Sequence, residues 1–138
     1  MKSVLTKHKE KAQKVFNEWV RLKSCLETTG SPFAAICFTC GKETENMNGK
    51  LHAGHWIKDS KNGNSTSFDI RNVNPQCLRC NHILGGNDTV YTLNMIKKYG
   101  QDEVEALHAL KLTSKKWTID ELDEIYITYK EKIKNIYG

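Results

Sequence analysis

Cys37-Phe38-Thr39-Cys40 and Cys77-Leu78-Arg79-Cys80 are two Cys-x-x-Cys pairs in one chain of 138 residues. Each pair can clamp one side of a tetrahedral zinc ion, because two thiolates three residues apart on a tight turn converge on one metal. Thirty-six residues separate Cys40 from Cys77, so the clamp closes a long loop rather than making an isolated finger. Gly41, directly after Cys40, suits the tight knuckle. Structural zinc contributes on the order of 10–16 kcal/mol in small peptides, enough to hold a fold with a thin strand core. A redox pair or free buried thiols are the rival readings, and two matched pairs favour zinc. Zinc says little about function, since such sites also serve as inert staples.

Between the pairs lies Leu51-His52-Ala53-Gly54-His55-Trp56, and Asn81 follows Cys80. Hydrolysing a phosphodiester needs a base to deprotonate water and a cation to neutralise the phosphate and the departing oxygen. A histidine suits the first task, with an unperturbed pKa of about 6.5. An asparagine or carboxylate oxygen suits magnesium or manganese for the second. His55, between Gly54 and Trp56, is the candidate base, projecting from a strand end into a cleft. Asn81 is the candidate ligand, placed by its neighbour in the zinc clamp. Asn72 is the candidate that holds the histidine-bearing loop through side-chain to backbone bonds. Singly, a histidine or a loop asparagine has a duller reading as a core, surface or turn residue. The order raises the odds: a histidine between two cysteine pairs, an asparagine five residues before the second pair and another directly after it.

The elements that must position these groups follow from periodicity. Val15, Phe16, Trp19, Val20 and Leu26 recur at helical spacing, with lysines opposite, so residues 4–27 read as a helix ended by Thr28-Thr29-Gly30-Ser31-Pro32. Residues 33–81 lose that period, and the stretches Ile36–Phe38, Leu51–Ala53 and Trp56–Ile57 read as short strands between turns. The polar loop from Asp59 to Ser67 reads as flexible and open to substrate. A short helix starts at the second cysteine pair and stops near Gly85-Gly86. Another covers Thr89–Tyr99 with Gly100 as a left-handed cap, and a third runs from an Asp102 cap through Leu110. Thr118 and Glu121 form a capping box for a last helix. Its stripe of Leu122, Ile125, Tyr126, Tyr129, Ile133 and Ile136 packs on the domain, on the first helix or on a second subunit. Cys25 reads as a plain buried thiol. The whole is one α+β domain: a basic N-terminal helix over 1–30, a zinc-stapled core over 31–100 and C-terminal helices over 101–138.

Net charge is +5, and residues 1–23 account for all of it, with seven Lys or Arg against Glu10 and Glu18. A basic arm on a neutral body suits an anionic polymer, because each phosphate contact releases condensed counterions. The duller reading is a solvated helix face. No run of eighteen apolar residues exists, which excludes a membrane span, and the first residues hold no apolar core for a secretory signal. A cytoplasmic protein is expected, in a reducing compartment where paired cysteines bind metal.

The run Leu51–Trp56, then Ser67-Phe68-Asp69-Ile70-Arg71-Asn72-Val73-Asn74-Pro75-Gln76-Cys77, Cys80-Asn81 and Gly86-Asn87, resembles the NinG (Rap) recombination endonucleases of lambdoid phages. Trp117-Thr118-Ile119-Asp120-Glu121 and the amphipathic helix after it are similar to that family's C-terminus, so the resemblance covers roughly residues 15–138. It implies an HNH (ββα-metal) core in which His55 is the general base, Asn72 the orienting asparagine and Asn81 the ligand of a catalytic magnesium or manganese ion. It implies nicking of branched DNA, such as Holliday junctions and D-loops, in the host cytoplasm. The layout is also similar to phage endonuclease VII, a zinc-stapled dimeric junction resolvase. Many HNH enzymes carry an acidic metal ligand directly before the base, where this chain has Gly54; His52 or Asp69 is the expected substitute. Family members can also carry an extra N-terminal cysteine-rich region, in place of which this chain presents its lysine-rich helix.

The leading expectation is therefore a metal-dependent DNA endonuclease. Lys7, Lys11, Lys14, Arg71, Arg79 and the polar loop would grip the phosphate backbone, a sequence-neutral contact that suits recognition of shape. Symmetric resolution of a junction would call for a homodimer. The alternatives are a zinc-stapled nucleic-acid-binding module without chemistry, and a protein-interaction domain using the C-terminal stripe.

Overall fold

A computed structural model describes residues 1–59 and 64–137. Helix α1 (Val4–Thr29) starts where the Ser3 hydroxyl accepts the Thr6 N–H at 3.1 Å and ends at Gly30, whose left-handed backbone (φ 76°) brings its N–H to the Leu26 carbonyl. Ala12, Phe16 and Val20 lie one turn apart and are buried together. Leu26, expected on the same stripe, lies in the last turn and stays exposed, while Leu22 and Cys25 are buried instead.

Two antiparallel ribbons follow. Strand β1 (Ala34–Ile36) pairs with β2 (Glu43–Glu45), and the turn between them carries Cys37 and Cys40. Strand β3 (Leu51–His55) pairs with β4 (Val73–Cys77), Leu51 opposite Cys77 and His55 opposite Val73. The expected strands at Ile36–Phe38 and Trp56–Ile57 are therefore displaced. Phe38 lies in the cysteine turn, and Trp56–Ile57 form a bend in which Ile57 is buried. β4 is hidden from a sequence reading because Pro75 sits in its middle. A two-stranded ribbon tolerates this, since each strand has an edge that needs no donor. The Pro75 carbonyl then accepts the Phe38 N–H at 2.7 Å and joins the two ribbons.

A single turn over Arg79–Ile83 follows β4, with Leu84 N–H reaching back to the Arg79 carbonyl at 2.8 Å. Helices α2 (Asp88–Tyr99) and α3 (Gln101–Ala109) meet at Gly100, whose φ of 89° is paired with an extended ψ of 157° rather than a left-handed helical one. Asp102 lies inside the first turn of α3 and does not cap it; there its charge favours the positive helix end. Helix α4 (Ile119–Tyr137) begins at the expected capping box: Thr118 N–H donates to Glu121 Oε1 at 3.0 Å, and Glu121 N–H to Thr118 Oγ1 at 3.2 Å.

Two clusters hold these layers together. Ile57, Tyr91, Met95, Val104 and Leu107 pack α2 and α3 against the bend that follows β3. Phe16, Val20 and Val73 pack α1 on the β3–β4 ribbon, with Phe68 and Tyr129 edge-on to Phe16 at ring separations of 5.6 and 4.8 Å. Edge-on aromatic contacts contribute about 0.5–1.5 kcal/mol each beyond the area they bury. The α4 stripe thus finds α1 as its partner: Leu122 is fully buried, Tyr129 lies against Phe16 and Trp19, and the Lys11 ammonium sits 4.1 Å above the Tyr126 ring. His8 and Asp123 bond at 2.7 Å across the same pair. Helix α1 is therefore shared between α4 and the ribbon that carries the two histidines. Among the described residues no helix is long and apolar enough to cross a membrane.

Candidate functional site

The four sulfurs of Cys37, Cys40, Cys77 and Cys80 lie within 4.8 Å of one another, with Cys40 and Cys77 3.7 Å apart. Thiolates about 2.3 Å from one zinc ion stand about 3.8 Å apart in a tetrahedron, so the cluster has the dimensions of a closed four-cysteine site. Local bonds shape each knuckle. Gly41 N–H returns to the Cys37 carbonyl at 3.0 Å with φ at +77°, where a side chain would strain the backbone. Cys77 N–H points at the Cys37 sulfur at 3.3 Å, and Cys80 N–H at the Cys77 sulfur at 3.5 Å. Burial alone would push the Cys37 thiol up, but donors from Cys40, Thr39 and Cys77 outweigh it and hold the thiol down at about 6. Cys40 is pushed up to about 12, first by desolvation and then by the thiols beside it. Four crowded sulfurs ionise together only when a cation neutralises them, and that donor set fits zinc.

The two histidines of β3 differ in what they face. His55, the last residue of the strand, has Nε2 3.1 Å from the Ser67 carbonyl oxygen. A carbonyl only accepts, so Nε2 carries a proton, and in the neutral ring the lone pair lies on Nδ1. His52 repeats the arrangement: its Nε2 donates to the Gly49 carbonyl at 2.8 Å. Its Nδ1 lone pair meets the Asn81 carboxamide at 2.9 Å. Asn81 is thus in direct contact with His52, not with His55. Gly54, at the position of the expected acidic ligand, is hemmed in by Gln76. A Cβ there would come 1.9 Å from Gln76 Oε1. Gln76 is fully buried and donates to the Gly86 carbonyl and the Thr39 hydroxyl, so a side chain at 54 would have to displace it.

Asn72 is fully buried and ties the chain on both sides of His55's surroundings. Its Oδ1 accepts Ile57 N–H at 2.7 Å, and its Nδ2 donates to the carbonyls of Ile57 and Thr66 at 3.0 and 3.1 Å. The segment leaving His55 and the segment that supplies the Ser67 carbonyl are therefore locked to one carboxamide. The 59–67 loop departs from expectation accordingly. Asn64, Thr66 and Ser67 are buried, Ser67 donates to Asp59 and Asn64, and the Asn64 carbonyl accepts the Trp117 indole at 3.1 Å. This part of the loop is framework rather than a free substrate contact; Ser60, Lys61, Asn62 and Gly63 lie outside the described residues.

Asp69 and Arg71 are engaged with each other. Arg71 Nη2 meets Asp69 Oδ2 at 2.6 Å, Nε meets Oδ1 at 3.0 Å, and Nη1 bonds Glu103. Burial would raise the Asp69 carboxyl, but Arg71 outweighs it and holds it below the usual carboxylate range; the two partners push the Arg71 guanidinium up. Asp69 is therefore spent as an ion-pair partner and helix cap rather than offered as a metal ligand, and Arg71 is not a free phosphate contact. Arg79 is exposed beside the zinc knuckle, in a groove of its own with Cys40 and Lys42. Lys7, Lys11 and Lys14 are exposed on α1, the last two lining a groove against Tyr126 and Lys130 of α4.

A family model described as Bacteriophage Lambda NinG protein matches residues 2–137. The chain belongs to the NinG family. It is 31% identical over 103 residues to Protein ninG of Escherichia phage 933W, which covers 72% of this chain and 47% of that protein. Identity and coverage are the same with Protein ninG of Escherichia phage lambda, and 30% over 103 residues with that of Salmonella phage P22. The chain thus spans about half the length of the curated relatives it matches. No solved structure matches it.

In this NinG chain a cleft of about 540 Å³ opens between α1 and β3, lined by Asn17, Arg21, Gly49, His52, Ala53 and Asn81 among others. Gln13, Asn17 and Arg21 stand one helical turn apart, and Gln13 Nε2 bonds Asn17 Oδ1 at 2.9 Å and lies 3.4 Å from His55 Nε2. This polar file runs from His55 at one end to the Asn81 cleft at the other. Periodicity misses it, because α1 reads as an apolar stripe with lysines opposite. A signal is present all the same: each of the three follows a buried residue of the Ala12, Phe16, Val20 row by one position.

Proposed function

We propose that this chain is a metal-dependent DNA endonuclease of the HNH (ββα-metal) type, acting on branched recombination intermediates such as four-way junctions and D-loops. The observation that carries the reading is His55: a strand-end imidazole whose Nε2–H is held by the Ser67 carbonyl, leaving Nδ1 free as a base. The order β3, β4, then the turn bearing Asn81, with the cysteine cluster fastening that turn, supports the ββα-metal layout.

Asn81 and His52 would hold a magnesium or manganese ion, which when bound supplies positive charge against the phosphate and the departing 3′ oxygen. An imidazole and a carboxamide, with no carboxylate lining the cleft, fit the borderline manganese ion better than the harder magnesium. His55 Nδ1 takes the proton of the attacking water. An oxygen–phosphorus bond forms as the bond to the 3′ oxygen breaks, and that oxygen gains a proton from solvent. The products carry 5′-phosphate and 3′-hydroxyl ends. Asn72 touches no reacting atom; it keeps the His55 segment and Ser67 in register. The exposed lysines of α1 grip the duplex arms without reading sequence.

The test is cleavage of matched linear, flap and four-way DNA by the zinc-loaded protein in magnesium or manganese, with His55→Ala alongside. The wild type is expected to cut branched DNA, and the variant to bind equally while its rate falls about 10²–10⁴-fold. A folded, zinc-loaded wild type that binds DNA but leaves every substrate intact in both metals rejects the enzyme and leaves a binding module.

A further inference from the structure

Two arginines near the ribbon are placed in opposite ways. Arg71 is saturated by Asp69 and Glu103. Arg21 is half-buried on α1, lines the cleft with His52 and Asn81, and among the described residues makes no ion pair or side-chain hydrogen bond. Burying a cation without a partner is costly, so such a site is completed by an anion that arrives. The cleft suits one. Its lining includes Asn17, Asn46, Asn48 and Asn81 and no Asp or Glu, so Arg21 is its only formal charge. A guanidinium offers five donors in a fork that matches the paired oxygens of a phosphodiester.

We infer that Arg21, with Asn17 one turn before it, is the phosphate clamp of this cleft: the guanidinium takes the non-bridging oxygens of a DNA phosphodiester seated beside Asn81. The inference rests on the nuclease reading for the identity of the anion, and it makes α1 a wall of the active site rather than only a basic arm. Desolvation pulls the Arg21 guanidinium below its ordinary pKa and outweighs the opposing field of Glu18, which lies one turn away on α1 and forms no ion pair with it. Arg21 breaks and forms no bond. It holds the phosphate while His55 removes the proton, and its share of the effect grows as the phosphate gathers charge.

The experiment measures binding of a fluorescent four-way junction to the zinc-loaded full chain in calcium, as a function of salt, together with cleavage in manganese. The proteins are the wild type, Arg21→Gln, Arg21→Lys and Lys111→Gln, an exposed remote charge. Arg21→Gln is expected to weaken binding about tenfold or more and to reduce the slope of log K against log salt by about one. Arg21→Lys should recover the slope but not the cleavage rate, because an ammonium lacks the fork. Lys111→Gln should match the wild type. Wild-type affinity, slope and cleavage in both Arg21 variants, each melting like the wild type, overturns the clamp while leaving the nuclease standing. A wild type that never cleaves but loses affinity and slope with Arg21→Gln sustains the clamp and sinks the nuclease. If Arg21→Gln fails to fold, Arg21→Lys decides: unchanged cleavage overturns the clamp, and lost cleavage with retained binding supports it.

Discussion

The cysteine cluster and the Asn81 cleft are built on opposite plans. The cluster is closed: four sulfurs from two short turns, each turn shaped by its own backbone donors, with three of the four cysteines buried. The cleft is open and assembled from α1, the turn before β3, β3 itself and the turn after β4, and it presents amides, the His52 ring and the Arg21 guanidinium. A staple must bind one ion tightly and permanently. The proposed DNA site would instead leave lone pairs and a cation unfulfilled until substrate arrives. The two plans meet in the turn after β4, where Cys80 belongs to the closed cluster and its neighbour Asn81 to the open cleft.

The largest expected effect falls on the closed side. Stripping zinc, or Cys77→Ser, should remove on the order of 10 kcal/mol, comparable to the whole stability of an ordinary domain. Loss of the near-ultraviolet signal and of the cooperative melt, with zinc content followed by atomic absorption, checks it; an unchanged melt would show that the staple is dispensable.

On the open side, His55→Ala should divide function from stability. A rate loss of 10²–10⁴-fold corresponds to about 3–5 kcal/mol of barrier, whereas the lost bond to Ser67 costs only about 1 kcal/mol of folding energy. Parallel urea melts and cleavage assays separate the two, and equal losses would make His55 a structural residue.

Asn72→Ala links the regions. It strands three buried backbone partners, so about 2–4 kcal/mol of stability should go, and cleavage should fall further than the unfolded fraction explains. Wild-type activity per folded molecule would dismiss the positioning role.

The smallest effect concerns the Asp69–Arg71 pair. The folded carboxyl titrates below its unfolded value of about 4, so the stabilisation is complete above that pH and fades as pH drops toward the lowered folded value. Urea melts between pH 5 and 2.5 should show a steeper loss in the wild type than in Asp69→Asn, and superimposable curves would remove the pair from the stability account.

Much of this is legible in the sequence because it is local. A Cys-x-x-Cys pair, a Thr-x-x-Glu box and an apolar file one helical turn apart carry their geometry in a few adjacent residues, and the clamp, α4's start and α1 follow from them. β4 is hidden by Pro75, whose tolerance depends on having a free ribbon edge. Asp69 looks like a spare ligand until Glu103, far along the chain on α3, is seen as the second partner of its arginine.

Residue types and spacing alone settled that four thiolates can share an ion, that a histidine and two asparagines accompany them, and that the basic charge sits on the first helix. Chain folding chose which lone pairs stay free, why position 54 has no room for an acid, and that Arg21 rather than Arg71 faces the cleft unpaired. The physical reason is range. Coordination and capping are satisfied within one turn of chain, while burial and charge pairing depend on neighbours brought together from distant positions.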